Sequence, residues 1–229
     1  NPQNLYLYSR SGMSFFQLCG VMLPYVVLSG ICLVVMLFLR KNQPIQRLPM
    51  KAELGNKVNL GWCTAGFALC LLGIFNLVPA LAIAGIVFLF LLVKDRKLLR
   101  AVDYSLLGTF VAFFVFIGNL SAISQFQDFL VSALEGRVVG VSVLACQVIS
   151  NAPAALLLSG FTQQWAALLI GCNIGGLGTL IASMASLISY KQVVREYPEK
   201  RRTYFIWFTV SNVVLLALLL LEYVLLTNL

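Results

Sequence analysis

Two short polar strings interrupt the longest uncharged part of the chain: Ser150-Asn151-Ala152-Pro153 and Asn173-Ile174-Gly175-Gly176-Leu177-Gly178-Thr179. From Val138 to Tyr190 there is no Asp, Glu, Lys, Arg or His, so their chemistry falls to hydroxyls, carboxamides and the main chain. Freed carbonyls and hydroxyls can ligate Na⁺, and the N–H groups at the start of a helix carry a partial positive charge that suits an anion. The expected chemistry is therefore the non-covalent gripping of a small solute, in a site with no side-chain charge.

Bond-breaking chemistry needs a nucleophile with a base, or a metal set. The chain has no histidine, which removes His-based catalysis and imidazole metal sites, and Ser150 has no Lys or acid near it in sequence. All six cysteines lie inside apolar runs and read as packing residues, Cys172 being the one that abuts a polar string. Asn76, Asn119 and Asn212 are single polar residues in or near apolar runs and read as interhelical hydrogen-bonding groups. Apart from Glu222, near the outer end of the last run, no acid lies at membrane depth, which argues against a carboxylate proton relay. A non-transporting membrane assembly subunit would explain the apolar runs but not two polar breaks in one of them.

The elements that must position the strings follow from length and charge. With 60% hydrophobic and 10% charged residues, 229 residues read as an all-α polytopic membrane protein. Nearly all of the 16 Lys and Arg fall in three stretches, 40–57, 94–103 and 191–202. The +8 net charge thus reports topology through the positive-inside rule, with these stretches cytoplasmic, and calls for no nucleic acid. The apolar pieces 138–149, 154–161, 164–172 and 180–190 are each too short to cross ~30 Å of hydrocarbon at ~1.5 Å per residue. They read as half-helices: a re-entrant hairpin over 138–161 that turns at Ser150 to Pro153, then a helix over 164–190 broken at Asn173 to Thr179. Irregular backbone at membrane depth must be lined by protein or a watery cavity, so the breaks mark a binding site.

The remaining elements are a half-helix within 1–14, one span from Phe15 to Leu39 with a kink expected at Pro24, and two short spans within 58–93 turning at Asn76 to Pro79. A third span runs from Tyr104 to Leu120. An amphipathic interfacial helix over 121–136 follows, with Leu120, Ile123, Phe126, Leu130 and Leu134 on one face. The last span runs from Thr203 to Leu221, its helix reaching 227, and leaves the C-terminus outside. Counting the hairpin as no crossing places all three basic stretches on one side.

Asn1 to Tyr8 aligns with Ser183 to Tyr190 at Leu5 on Leu187 and Tyr8 on Tyr190, and a long span follows each. Residues 1–39 therefore read as the end of a first repeat, 40–57 as a linker, and 58–229 as an inverted second repeat. The opening Asn1-Pro2-Gln3-Asn4 has no initiator Met and no signal peptide. It sets the expectation of a fragment or processed chain, its partner being the missing N-terminal half of the same protein.

The tip Ser150-Asn151-Ala152-Pro153 and the break Gly175-Gly176-Leu177-Gly178-Thr179 resemble the ion transporter superfamily of divalent anion/sodium symporters, citrate transporters, arsenite permeases and an Na⁺/H⁺ antiporter branch. Asn1-Pro2-Gln3-Asn4 is similar to the end of that family's first-repeat motif, and Asp103-Tyr104 to the opening of its span before the interfacial helix. The resemblance implies an inverted-repeat, elevator-type carrier in the cytoplasmic membrane of a bacterium, dimeric, without a cofactor, and coupled to Na⁺. It implies ion binding by Ser150, Asn151, Gly176 and Gly178. It further implies binding of a small anion, such as citrate or succinate, by Asn151, Ala152, Pro153, Thr179, Asn173, Ser183 and Asn1. Ser150-Asn151-Ala152-Pro153 and Thr179-Leu180 stand where the symporters carry Ser-Asn-Thr and Thr-Pro motifs, and the lost hydroxyl and proline leave arsenite or another anion open.

Overall fold

A computed structural model of the chain describes residues 1–39, 57–75, 77–94, 96–102 and 104–228. Residues 40–56 of the expected linker, with Asn76, Asp95 and Asp103, lie outside the described residues, and Lys57, expected to close the linker, begins a helix instead. The described residues form helices and no strand, in two compact units, 1–40 with 109–229 and 41–108.

In the first unit α1 (Pro2–Ser11) carries Pro2 in its first turn and ends on Gly12 in the left-handed conformation, φ 69°. Then α2 (Phe15–Phe38) opens on a capping box: Gln17 N–H donates to Ser14 Oγ at 3.2 Å, and Ser14 N–H to Gln17 Oε1 at 2.8 Å. It stays helical through Pro24. At the other end of the chain α12 spans Arg201–Thr227, two residues earlier than the charge pattern alone suggests. Both are long and apolar enough to cross a membrane. They pack on one another, and most of their apolar side chains stay exposed, as lipid-facing surfaces require.

The second unit holds α3 (Lys57–Ile74), α4 (Ala80–Lys94), the short α5 (Arg96–Arg100) and the start of α6 (Tyr104–Ser121). The two short helices expected within 58–93 are therefore present, with Trp62 and Phe90 ring centroids 5.3 Å apart where α3 meets α4. Part of the second basic stretch is helical as α5 rather than loop, since long cationic side chains are good helix formers.

Between residues 107–121 and 124–134 the axis turns by 96° into α7 (Ser124–Leu134). Phe126, Leu130 and Leu134 pack into the core, while Asp128 and Glu135 stay exposed. The rest of the first unit is built from pieces too short to cross: α8 (Val138–Ile149), α9 (Asn151–Leu158), α10 (Trp165–Ile174) and α11 (Met184–Glu196). At ~1.5 Å per residue, the 12 residues of α8 reach ~18 Å and the 8 of α9 ~12 Å.

Within lipid, helices gain little from hydrophobic burial and associate by close packing and hydrogen bonds, which favours small residues. Two glycines one turn apart, Gly171 and Gly175, do this for α10 against α8. A Cβ on Gly171 would sit 2.6 Å from the Ser142 Cβ, and one on Gly175 would sit 2.9 Å from both Cys146 Sγ and the Val143 Cα. Around this contact Leu7, Leu134, Val138, Cys146, Ala154, Leu158, Leu168 and Cys172 form one core cluster. Tyr25, Val139, Val143, Ile174 and Leu219 form a second, which holds α2 and α12 to the same pair.

Two boundaries move. The break after α10 runs from Gly175 to Ser183, not Asn173 to Thr179, because Asn173 and Ile174 complete the last helical turn and Thr179 to Ala182 remain non-helical. The resumed helix α11 starts at Met184 and passes through Lys191 and Arg195 to Glu196; Lys200 lies in a 3-10 turn and Arg201 opens α12. The third basic stretch is thus largely helical. Charge stops a helix from entering lipid, but not from continuing into water.

Candidate functional site

The first unwound point is a single residue. Pro153 dictates its place: were α8 to continue, the proline ring would meet the Ile149 carbonyl four residues back, and no proline N–H would be there to bond it. Ile149 accordingly ends α8, Ser150 N–H closes it by donating to Cys146 O at 3.0 Å, and α9 restarts at Asn151, with Ala154 N–H donating to Ser150 O at 3.0 Å. The turn costs backbone strain, since Ser150 sits at φ 73°, ψ 156°, a region that side-chain-bearing residues avoid at roughly 1–3 kcal/mol. Among the described residues it is the only non-glycine with positive φ.

The second unwound point is nine residues long and takes its freedom from glycine, with Gly178 at φ 101°. It is fastened to the first point at several places. At its far end Ala182 O accepts Asn151 N–H at 2.9 Å and Ser150 Oγ at a longer 3.4 Å. At its near end the Gln147 side chain, one turn before the hinge on α8, donates through Nε2 to Gly175 O and Leu177 O, each at 2.9 Å. The other end of that carboxamide, Oε1, accepts Thr179 N–H at 2.9 Å.

Asn151 is 5% exposed, and its carboxamide makes no hydrogen bond to the described residues. It faces Gly176: a Cβ there would come within 2.8 Å of Asn151 Nδ2. In the same break the carbonyls of Gly176 and Gly178 accept no hydrogen bond among the described residues. Neither does Ala152 N–H in the first turn of α9 have a partner there. The arrangement therefore offers neutral oxygen ligands, of the kind a hard cation takes, beside N–H donors at a helix start.

The other residues expected in the site are placed as follows. Ala152 and Pro153 are buried in the first turn of α9. The Thr179 side chain is exposed. Ser183 caps α11, its Oγ accepting Ala185 N–H at 3.3 Å. Asn173 is spent on structure, exchanging amide hydrogen bonds with Asn4 at 2.8 and 3.0 Å and donating to Leu169 O at 2.8 Å. Asn1 is exposed at the head of α1, and it is Asn4 that brings α1 to α10. Gln3 adds to that contact through Cys172 O at 3.3 Å, and Tyr6 meets Ser159 Oγ at 2.9 Å.

Gln147, Gln3 and Asn4 are the polar residues that sequence reasoning passed over. Gln147 had one available signal, its position one helical turn before the hinge.

No family model matches the chain, and no solved structure does. Two curated relatives are similar to it. The protein named "Uncharacterized transporter MJ0456" from Methanocaldococcus jannaschii is 31% identical over 193 residues, and the protein named "Inner membrane protein YbiR" from Escherichia coli is 28% identical over 198 residues. Each match takes in 83% of this chain and 52% of the relative, so the chain spans about half the length of the curated relatives it matches.

Proposed function

We propose that this chain is part of a membrane transporter for a small anion, a di- or tricarboxylate such as citrate or succinate, coupled to Na⁺. One observation carries the reading: two unwound points, in helices too short to cross a membrane, are hydrogen-bonded together around an unpartnered Asn151 carboxamide. The name of the archaeal relative supports transport in general. In this reading Asn151, Ser150 and the carbonyls of Gly176 and Gly178 ligate Na⁺. The anion lies against Ala152 N–H, the start of α9 and the bound cation, whose charge offsets its own. The α8–α9 pair is a re-entrant hairpin, and with α10 it forms the moving body of an elevator-type carrier, the full protein being a dimer of inverted repeats.

The test is uptake of radiolabelled citrate or succinate into proteoliposomes holding the full-length protein, with and without a Na⁺ gradient. Gradient-dependent accumulation is expected. Uptake of neither acid, together with arsenite efflux or Na⁺/H⁺ exchange by the same vesicles, would move the protein to another substrate of the same mechanism.

A further inference from the structure

We infer that Gln147 is the positioning residue of this site, holding the break open in the one geometry that leaves the Gly176 and Gly178 carbonyls free. The carbonyls of the non-helical chain that follows α10 have no helical ladder to join and must be satisfied at membrane depth. Gln147 Nε2 takes those of Gly175 and Leu177, and its Oε1 takes the Thr179 N–H, so a single carboxamide spans five residues of otherwise irregular chain. The fit leaves no slack, since a Cβ on Gly178 would lie 2.6 Å from Gln147 Oε1. Without the clamp, Gly175 O and Leu177 O become two additional unsatisfied acceptors beside those of Gly176 and Gly178, and the segment loses the contacts that distinguish one pair from the other.

A carboxamide is the side chain that does this, because both halves of it are used. Glutamate keeps the acceptor for Thr179 N–H but sets a carboxylate against two carbonyl oxygens. Methionine keeps the length and loses both functions.

The transport reading enters only in the second of two measurements on the full-length protein. The first is hydrogen–deuterium exchange in lipid nanodiscs, resolved over 175–183. Gln147→Met is expected to speed exchange at Thr179 at least tenfold while α2 and α12 keep their wild-type rates. Gln147→Glu is expected to leave Thr179 exchange slow while the infrared amide I bands of Gly175 and Leu177, labelled at their carbonyls with ¹³C and ¹⁸O, shift as those two acceptors lose their donor, a split that general loosening would not produce. Unchanged exchange over 175–183 in both variants, or equal acceleration of every residue in Gln147→Glu, would overturn the inference. If Gln147→Met does not fold, Gln147→Glu decides alone: slow Thr179 exchange with shifted Gly175 and Leu177 carbonyl bands supports the inference, and unshifted bands overturn it. The second measurement is Na⁺-dependent uptake, in which Gln147→Glu is expected to raise the half-saturating Na⁺ concentration at least fivefold with a smaller change in maximal rate. A fall in maximal rate alone would also count against it. Exchange that follows the clamp in a protein that transports nothing would leave Gln147 in its place and remove the transport reading instead.

Discussion

The two unwound points reach the same end by opposite means. At Ser150 the helix is interrupted by one residue, forced by a proline ring three positions later and held in a backbone conformation suited to glycine. From Gly175 to Ser183 it is interrupted by nine, three of the first four being glycine, and order comes from outside through Gln147 and the hinge. A short break is stiff and strained, while a long one is supple and needs props. Putting one of each together lets the stiff point serve as the template for the supple one, which is why nearly every anchor of the second break lies on α8 or the start of α9.

That contrast can be broken at its centre first. Asn151→Ala removes the unpartnered carboxamide without touching an anchor, so uptake should fall by about a hundredfold, the order expected when a buried polar ligand worth about 1–3 kcal/mol is lost. Expression and detergent-extracted yield should stay at wild-type level. Full uptake in this variant would end the site assignment.

Gly178→Ala attacks the supple side. A side chain at φ 101° is strained, and its Cβ collides with Gln147 Oε1. Thermal unfolding of the purified protein should report a loss of about 1–3 kcal/mol. A neutral result would mean that the break tolerates a different path.

The smallest effect separates strain from chemistry on the stiff side. Ser150→Ala and Ser150→Gly both lose the hydroxyl, but only glycine relieves φ 73°. The glycine variant should be more stable than the alanine variant by about 1 kcal/mol, less than the full strain because the unfolded chain also gains freedom. Equal stability would show that Ser150 costs nothing where it stands.

What could be read beforehand follows the same division. The stiff point was legible because Pro153 announces it, and α2, α3, α4 and α6 were legible because charge, glycine and proline bracket them. The far edge of the supple break was not. Thr179-Leu180-Ile181-Ala182 is apolar and carries no breaker, so nothing local says that it stays non-helical; the Ala182 carbonyl is turned outward by a hydrogen bond from Asn151, 31 positions earlier in the chain. The end of α11 was hidden for a different reason, since Lys191 ends the uncharged run and not the helix, which continues to Glu196. Gln147 escaped notice because a lone amide in an apolar helix ordinarily bonds a neighbouring helix, and only tertiary geometry shows that it serves three main-chain groups of the second break at once.

The stretch from Val138 to Ser189 contains no Asp, Glu, His, Lys or Arg, so the polar groups it can offer are carboxamides, hydroxyls and peptide units. In the proposed carrier, acidity has no handle on the wall of the pocket that this stretch supplies. A bell or shoulder in a plot of uptake against pH would then trace either the ionisation of the cargo or groups that the rest of the full-length protein brings to the pocket, and not this wall of it.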